Sequence, residues 1–380
     1  MSDACLTCGK INSSLKRCGR CKSAWFCNRE CQAVACKELG HRGANCRAAE
    51  EVAVARTPAP ARTQAAPAEF DGLVRRYTDL MKEADRMQMT SSRVSCLAAV
   101  EKLKAASTVA DLVGGGHGAF FRSDADGTLS RVLFHLGDTK AAAHPACSSL
   151  QAARLAGDRT MVVKGLATCG LVAQVAPSEM LKAEKEIREQ ERLSGSPPSF
   201  GGLDLSQEGR ISLPTTPAAL ARLWHAYYAA AVSICDAARA AARDRGTPLA
   251  DENVRLPSLS VEAQARGNLG SCLHQLGVER QRSLELHWQG VALRRRVLQT
   301  AVSDDEVKCA KRLLAIDLSN LADTDTTQAL ACLREALELS EDTDSVKLKQ
   351  VVLTRLANLS CKPDQPVKPA EAAAFRSRLN

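Results

Sequence analysis

The sequence contains few aromatic residues and no apolar run long enough to span a membrane. Phe, Trp and Tyr together make up 3% of the 380 residues. A membrane-spanning helix needs about 18 consecutive apolar residues, and the longest candidate, the alanine-rich stretch 226–242, is interrupted by Asp236 and Arg239. The N-terminal residues MSDACL lack the basic region and apolar run of a secretory signal. We therefore expect no membrane association and a soluble intracellular protein, in the cytoplasm, the nucleus or both.

Cysteine, by contrast, is crowded into the first fifty residues, which hold eight cysteines and one histidine. Thiolates a few residues apart can converge on one tetrahedral zinc ion about 2.3 Å away, and so short a segment buries too little apolar surface to fold without a cross-link. A disulfide framework is the competing interpretation, which the absence of a secretory signal disfavours. The paired spacing predicts two zinc ions (Zn2+), with the ligands Cys5, Cys8, Cys18, Cys21, Cys27, Cys31, His41 and Cys46.

The string CGRCKSAWFCNRECQ, residues 18–32, places the aromatic Phe26 before the third cysteine pair and Gln32 after it. This string resembles the MYND-type zinc finger, and the resemblance extends over residues 5–46. In that family two zinc ions are bound in an interleaved order, so the first and third pairs share one ion and the second and fourth share the other. The resemblance therefore implies one site made by Cys5, Cys8, Cys27 and Cys31, and a second made by Cys18, Cys21, His41 and Cys46.

The fourth ligand pair departs from the family pattern. The family has a tryptophan a few residues before the histidine, and Cys36 stands at that place here. His41 also comes later than usual, and the step from His41 to Cys46 is one residue longer. Cys36 is a rival to His41 at the second ion, because zinc sites with four thiolates and with three thiolates plus one imidazole are both ordinary. The alternative is that Cys36 is a small buried residue on a short helix.

The formal net charge of +8 raises the question of nucleic-acid binding. Part of the excess lies in the first fifty residues, where nine Lys and Arg face four Asp and Glu. Zinc reduces this excess, because an all-thiolate site carries about −2 and a site with three thiolates and one neutral imidazole carries about −1. We interpret the remaining basic residues as a solvated surface rather than a phosphate-binding face. Nucleic acid is therefore not the expected partner.

The residues after the finger fall into a linker and a helical body. Residues 50–69 are rich in Ala, Pro, Thr and Arg, which predicts a linker between a finger at residues 1–49 and a body at residues 70–380. Apolar residues of the body recur at helical spacing, so we expect a mainly α fold. One helix starts at the N-cap Thr216 and Pro217 and ends at Gly246, after a long or disordered loop at residues 194–216. Further helices are predicted at residues 149–157, 160–173, 178–193, 261–276, 281–300, 305–321, 327–339 and 345–358.

Small residues recur seven apart in the second half of the body. This spacing lets two antiparallel helices approach closely, and it resembles a tetratricopeptide (TPR) unit with helices at residues 268–277 and 283–298. A second unit follows about 46 residues later, rather than the ~34 of a standard repeat. The resemblance implies an α-helical, TPR-like solenoid whose concave side binds a peptide or a helix, and an irregular helical bundle is the alternative. The pairs of small residues are Gly270 and Gly277, Ser283 and Gly290, and Ala329 and Ala336.

No residue pattern in the body indicates catalysis, so we expect that the protein is not an enzyme. Some MYND proteins carry a lysine methyltransferase domain that needs an Asn-His-x-Cys motif, and this sequence has none. The glycine run 114–116 lacks the Gly-Lys-Ser/Thr of a phosphate loop and is typical of a helix stop. The scattered body cysteines are interpreted as buried thiols and the body histidines as packed or surface residues. Acidic clusters at residues 304–306 and 341–342 are interpreted as helix caps.

The sequence therefore predicts a zinc-binding scaffold whose finger and helical repeat surface bind polypeptide partners. In the MYND family the finger binds short proline-containing peptides, using a glutamine that matches Gln32 and a tryptophan that is missing here. The resemblance accordingly implies a protein or peptide partner, with proline-containing peptides among the candidates. The competing function classes are a nucleic-acid-associated transcriptional regulator and a protein methyltransferase-related protein.

Zinc analysis of the full chain assigns the fourth ligand pair. We expect His41→Ala to lose one of two zinc ions and Cys36→Ser to keep both, because only the loss of a ligand opens a site. Zinc per chain is measured by atomic absorption after dialysis, with Cys18→Ser as the positive control. Zinc loss in Cys36→Ser but not in His41→Ala would assign Cys36 as the ligand instead.

Overall fold

The structure is a computed structural model of the full chain. It describes residues 16–17, 25–26, 67–89, 92–194, 205, 207–244, 256–343, 345–359, 373–375 and 377–378. The chain divides into two compact units, Met1–Gln64 and Ala65–Asn380. Within the first unit two short strands are described, β1 (Lys16–Arg17) and β2 (Trp25–Phe26). The predicted linker lies outside the described residues up to residue 66, so its start at residue 50 remains a prediction, whereas residues 67–69 already belong to the first helix of the second unit.

The second unit is helical throughout its regular elements, which confirms the prediction of a mainly α fold. Every helix in the described part of this unit packs on its neighbour in the sequence. None of these helices has the length and hydropathy needed to cross a bilayer. In chain order the helices are α1 (Pro67–Met89), α2 (Arg93–Val113), α3 (Gly115–His135), α4 (Thr139–Ala156), α5 (Arg159–Val175), α6 (Pro177–Ser194), α7 (Pro217–Ala221), α8 (Leu223–Asp244), α9 (Leu259–Gln275), α10 (Arg280–Thr300), α11 (Asp304–Thr324), α12 (Ala329–Glu341) and α13 (Val346–Leu359).

Glycine followed by aspartate ends one helix and starts the next at two places. Gly137 and Gly157 have φ angles of 84° and 69°, in the left-handed region where a glycine carries no steric penalty. The next residue, Asp138 or Asp158, accepts a hydrogen bond at 3.1 Å from a backbone amide of the following helix. Such N-caps satisfy an amide that the helix itself leaves unpaired. Because these connections are only two or three residues long, the helices that they join run antiparallel.

Gly270 and Gly290 allow the close contact of α9 and α10 that their spacing predicts, but the prediction is wrong for Gly277. Gly277 lies beyond the end of α9 with a φ angle of 65°, and no atom lies within 4 Å of a hypothetical Cβ there. A Cβ atom placed on Gly270 would lie 2.9 Å from the Cδ2 atom of His287 and 3.1 Å from the carbonyl oxygen of Ser283. The Ser283 hydroxyl donates a hydrogen bond of 2.7 Å to the Gly270 carbonyl. Gly290 is close to the Ala263 carbonyl in the same way, with 3.3 Å to a hypothetical Cβ. Glycine at residue 270 is therefore required by packing, not by its φ angle.

Two of the hydrophobic cores of the second unit meet at α10, which contributes to both. Leu286 packs in the first core, which extends from α1 to α10. Val291, about one and a half turns further along α10, packs in the second core with α11, α12 and α13. A helix that shares its faces between two cores is covered on both sides, as in an array of stacked helix pairs.

The prediction of one continuous helix from Thr216 to Gly246 is wrong at one point. Thr216 is the N-cap, as predicted, but the helix breaks at Arg222 between α7 and α8. The indole of Trp224 donates a hydrogen bond of 3.1 Å to the carbonyl of Ala221. In a continuous helix that carbonyl accepts the amide of residue 225, and here the amide of His225 bonds to Arg222 instead.

The described part of the predicted loop at residues 194–216 is irregular but fixed to the helices. Leu205 and Ile211 are buried. Arg154 donates hydrogen bonds to the carbonyls of Glu208 and Gly209 at 3.0 and 3.1 Å. Arg159 also forms an ion pair of 2.9 Å with Glu208. Of the two predicted alternatives, these residues therefore form a packed loop.

Alanine substitutions at two glycines of α9 test the close contact. Gly270→Ala is expected to lower the free energy of unfolding by about 1–3 kcal/mol, because the new methyl group meets a backbone carbonyl that cannot move aside. Gly267→Ala is the matched control on the same helix, since its Cβ would lie 3.6 Å from the nearest atom. That variant is expected to be neutral or stabilised by up to about 1 kcal/mol through helix propensity. Equal effects of the two substitutions in urea unfolding would contradict the packing account.

Candidate functional site

The predicted zinc ligands belong to the finger, and their side chains lie outside the described residues. This applies to the eight ligands predicted from the spacing and to the rival Cys36. Their assignment to two interleaved sites therefore remains a prediction. What the structure describes of the finger is the backbone pairing of β1 and β2.

The two strands pair antiparallel, with Lys16 opposite Phe26 and Arg17 opposite Trp25. The segment that connects them, residues 18–24, contains the second cysteine pair, and Cys27 follows β2 directly. Paired strands lie about 4.8 Å apart. The pairing therefore places β1, which directly precedes the second cysteine pair, beside β2, which directly precedes the third.

In the described part of the body, the cysteines are mostly buried thiols and no group of three His, Cys, Asp or Glu side chains could hold a metal ion. Cys147, Cys169, Cys235, Cys272 and Cys332 are buried, Cys96 is half-buried and Cys309 is exposed. Burial raises the pKa of Cys235 and Cys272 to about 12, and that of Cys332 to about 11. These three thiols are protonated at neutral pH and are poor nucleophiles. The prediction of mostly buried cysteines is confirmed for these residues.

His287 is a packed histidine, as predicted. Its ring is 2% exposed, and its Nε2 atom has no hydrogen-bond partner among the described residues. Burial, with a contribution from His274, lowers the pKa of His287 to about 4. The imidazole is therefore neutral near pH 7 and fills the space opposite Gly270.

The body also contains a charged groove of about 610 Å³ between α8, α9 and α10, which we call the arginine groove. Five arginines and three carboxylates line it, together with the buried apolar side chains Val232, Leu286 and Leu293. The charged residues give the lining a formal charge of +2. They are Asp236, Arg239, Arg243, Glu262, Arg266, Arg282, Glu285 and Arg296.

Glu262 on α9 organises the inner part of the arginine groove. Its carboxylate, 2% exposed, accepts hydrogen bonds of 2.8 Å from Arg239 on α8 and from Arg266 on α9. Arg266 also donates to Asp236 at 2.6 Å and to Gln289 on α10 at 2.8 Å. Burial raises the pKa of Glu262, but the hydrogen bonds from the two guanidinium groups outweigh it and hold that pKa below its usual value. The network therefore ties three helices together with ionised groups.

The rim of the groove carries the unbalanced positive charge. Arg243 on α8 and Arg296 on α10 are exposed. Neither side chain pairs with a carboxylate in the part of the chain that the structure describes. Arg282 forms an exposed ion pair of 2.9 Å with Glu279, and such pairs contribute little to stability. The groove therefore has neutralised inner arginines and two outer ones that have no carboxylate partner among the described residues.

The arginine groove is not among the features predicted from the sequence, because its residues come from three helices that are separate in the chain. Two periodic signals were present. Arg239 and Arg243 are four apart, which places them on one face of α8. Arg282, Gln289 and Arg296 recur every seven residues, which places them on one face of α10. That the two faces meet across Glu262 depends on the packing of α8, α9 and α10.

The pH dependence of stability tests the Glu262 network. The pKa of Glu262 is lowered in the folded state. Its contribution to stability is therefore fully present above the usual carboxyl pKa of 4.5, and it is lost as the pH falls from there through the lowered pKa of the folded protein. At pH 7, Glu262→Gln is expected to lower the free energy of unfolding by about 2 kcal/mol, since hydrogen bonds to charged partners are weakened. The difference from the parent protein should shrink below about pH 4.5. Glu285→Gln, an exposed carboxylate of the same groove, is the control, and a pH-independent difference for Glu262→Gln would contradict the network.

Comparisons with known proteins identify the N-terminal segment. The family model of the MYND finger matches residues 5–43. This match contains the first three cysteine pairs, Cys36 and His41, and it ends before Cys46. The chain matches no curated protein. The chain thus carries an N-terminal MYND finger, a zinc-binding protein-interaction domain, followed by a helical body.

Proposed function

We propose that the protein is a non-enzymatic interaction scaffold in which the MYND finger and the helical body each bind a polypeptide. The observation that carries this proposal is the match of residues 5–43 to a family of protein-interaction fingers. The finger holds two zinc ions through the four predicted ligand pairs. Two binding surfaces on one chain raise the overall affinity for a bivalent partner without requiring that either is strong.

The stacking of helix pairs supports a TPR-like binding surface in the body. The helices α9 and α10 pack as one pair and α11 and α12 as the next, and α10 packs against α11 between the pairs. Ser283 and Gly290 occupy the second helix of the first pair, and Ala329 and Ala336 occupy the second helix of the next. Ser283, Ala329 and Ala336 are buried in the interior of the body. Arrays of this kind present extended grooves to peptides and helices.

The chemistry of the described body residues supports a role in binding rather than catalysis. The buried thiols of Cys235, Cys272 and Cys332 are held protonated by their raised pKa values. His287 is 2% exposed, and burial lowers the pKa of its imidazole to about 4. A nucleophile or general base has to be accessible and to have a pKa near the working pH.

A peptide-binding measurement with the full, zinc-loaded chain tests the role of the finger. A proline-rich peptide is expected to bind, and Gln32→Ala is expected to weaken binding roughly tenfold, the effect of losing one or two hydrogen bonds at an interface. Zinc content should be unchanged, because Gln32 follows the ligand Cys31 and is not itself a predicted ligand. Gln64→Ala, outside the finger, is the matched control.

Two results would overturn the proposal. Binding of proline-rich peptides that is equal in the parent protein and in Gln32→Ala would remove the finger's proposed peptide site. Reproducible methyl transfer from a radiolabelled donor to histone or bulk protein would overturn the non-enzymatic assignment.

A further inference from the structure

The arginine groove lies in the second unit and is distinct from the finger. We propose that this groove binds an acidic polypeptide segment that also carries aliphatic side chains. The inference rests on the proposed role in polypeptide binding, and it names the class of partner for the body. The charge of the rim, the fixed position of the inner arginines and the apolar part of the lining all favour such a partner.

The rim provides the attraction for carboxylates. Arg243 and Arg296 are exposed and line the same groove from α8 and α10. No carboxylate of the described residues pairs with either side chain, and an exposed guanidinium group can donate paired hydrogen bonds to Asp or Glu of a partner. Arginine forms such two-pronged contacts with carboxylates better than lysine does. An acidic segment that crosses the groove would meet both arginines.

The inner arginines fix the shape of the groove. Arg266, with a side chain 9% exposed, is held by Glu262, Asp236 and Gln289. Arg239 is held by the same Glu262 carboxylate. Both guanidinium groups are therefore ordered before a partner arrives, which lowers the entropy lost on binding. Their own charges are already balanced, so the selection of an acidic partner falls to the rim.

The apolar part of the lining selects for aliphatic side chains in the partner. Val232, Leu286 and Leu293 line the groove between the charged residues. The volume of about 610 Å³ accommodates a few side chains rather than a whole folded domain. The lining contains no aromatic residue on which a base could stack.

The test is a fluorescence anisotropy titration of the full, zinc-loaded chain with a labelled peptide in which Glu alternates with Leu. The Arg243→Glu and Arg296→Glu double variant is expected to bind at least roughly tenfold more weakly than the parent, because both contacts change from attraction to repulsion. The Arg75→Glu and Arg76→Glu double variant is the matched control, since it alters the net charge equally on the exposed face of α1. Thermal unfolding of all three proteins should be alike, because none of these four arginines is buried.

Two further peptides define the outcomes. A peptide with Ser in place of Leu should bind more weakly than the Glu–Leu peptide, and one with Lys in place of Glu should not bind. Equal weakening by the two double variants would show general charge attraction and would overturn the inference. Binding that is unchanged in the Arg243→Glu and Arg296→Glu double variant would also overturn it. The proposed function fails separately, if neither the acidic peptide nor the proline-rich peptide binds. If only the proline-rich peptide binds, in a manner sensitive to Gln32→Ala, the groove inference fails and the finger's role stands.

Discussion

Each helix of the body has to cover the apolar face of its neighbour in the sequence, because most of the connections are only one to four residues long. Short connections keep consecutive helices in contact, and close contact needs small residues where the backbones meet. A Cβ atom on Gly165 would lie 2.9 Å from the Cα atom of Leu150, and one on Gly127 would lie 2.9 Å from the Ser149 hydroxyl. With Gly270, these positions set the spacing of α3, α4, α5, α9 and α10. The cores and the arginine groove depend on that spacing.

The same constraint explains why ionised groups are buried beside the groove. The packing of α8 and α10 around α9 removes Glu262 from water, and an unpaired carboxylate there would be strongly destabilising. Arg239 and Arg266 compensate it from two helices. Once the inner charges are balanced in this way, the outer arginines of α8 and α10 remain available to a partner. Structural and binding roles are thus divided between arginines of one groove.

Much of the body could be predicted from local sequence signals, and the exceptions have a common cause. The capping box of Ser303 and Glu306 starts α11 as its acidic cluster indicates, and Gly114 ends α2. The helices α2 and α3, however, were not predicted individually, and α4 begins ten residues earlier than expected. Gly118 and Gly127 lie inside α3, and Pro145 lies inside α4. Glycine and proline are typical of loops, so these residues do not indicate a helix. They are tolerated because packing against neighbouring helices outweighs propensity. Ligand spacing was enough to predict a zinc-binding segment, and the resemblance of residues 18–32 indicated its family, whereas the arginine groove needs three helices to be brought together.

We propose that zinc stabilises the finger, whereas helix packing stabilises the body. Hydrogen–deuterium exchange of the full chain, before and after removal of zinc with excess chelator, separates the two contributions. We expect the amides of residues 1–46 to lose their protection, because such a small segment cannot fold without its metal. The amides of the helices from α1 to α13 should exchange as before. Protection that persists in the finger without zinc, or that is lost across the body, would show that the two units are not stabilised in this way.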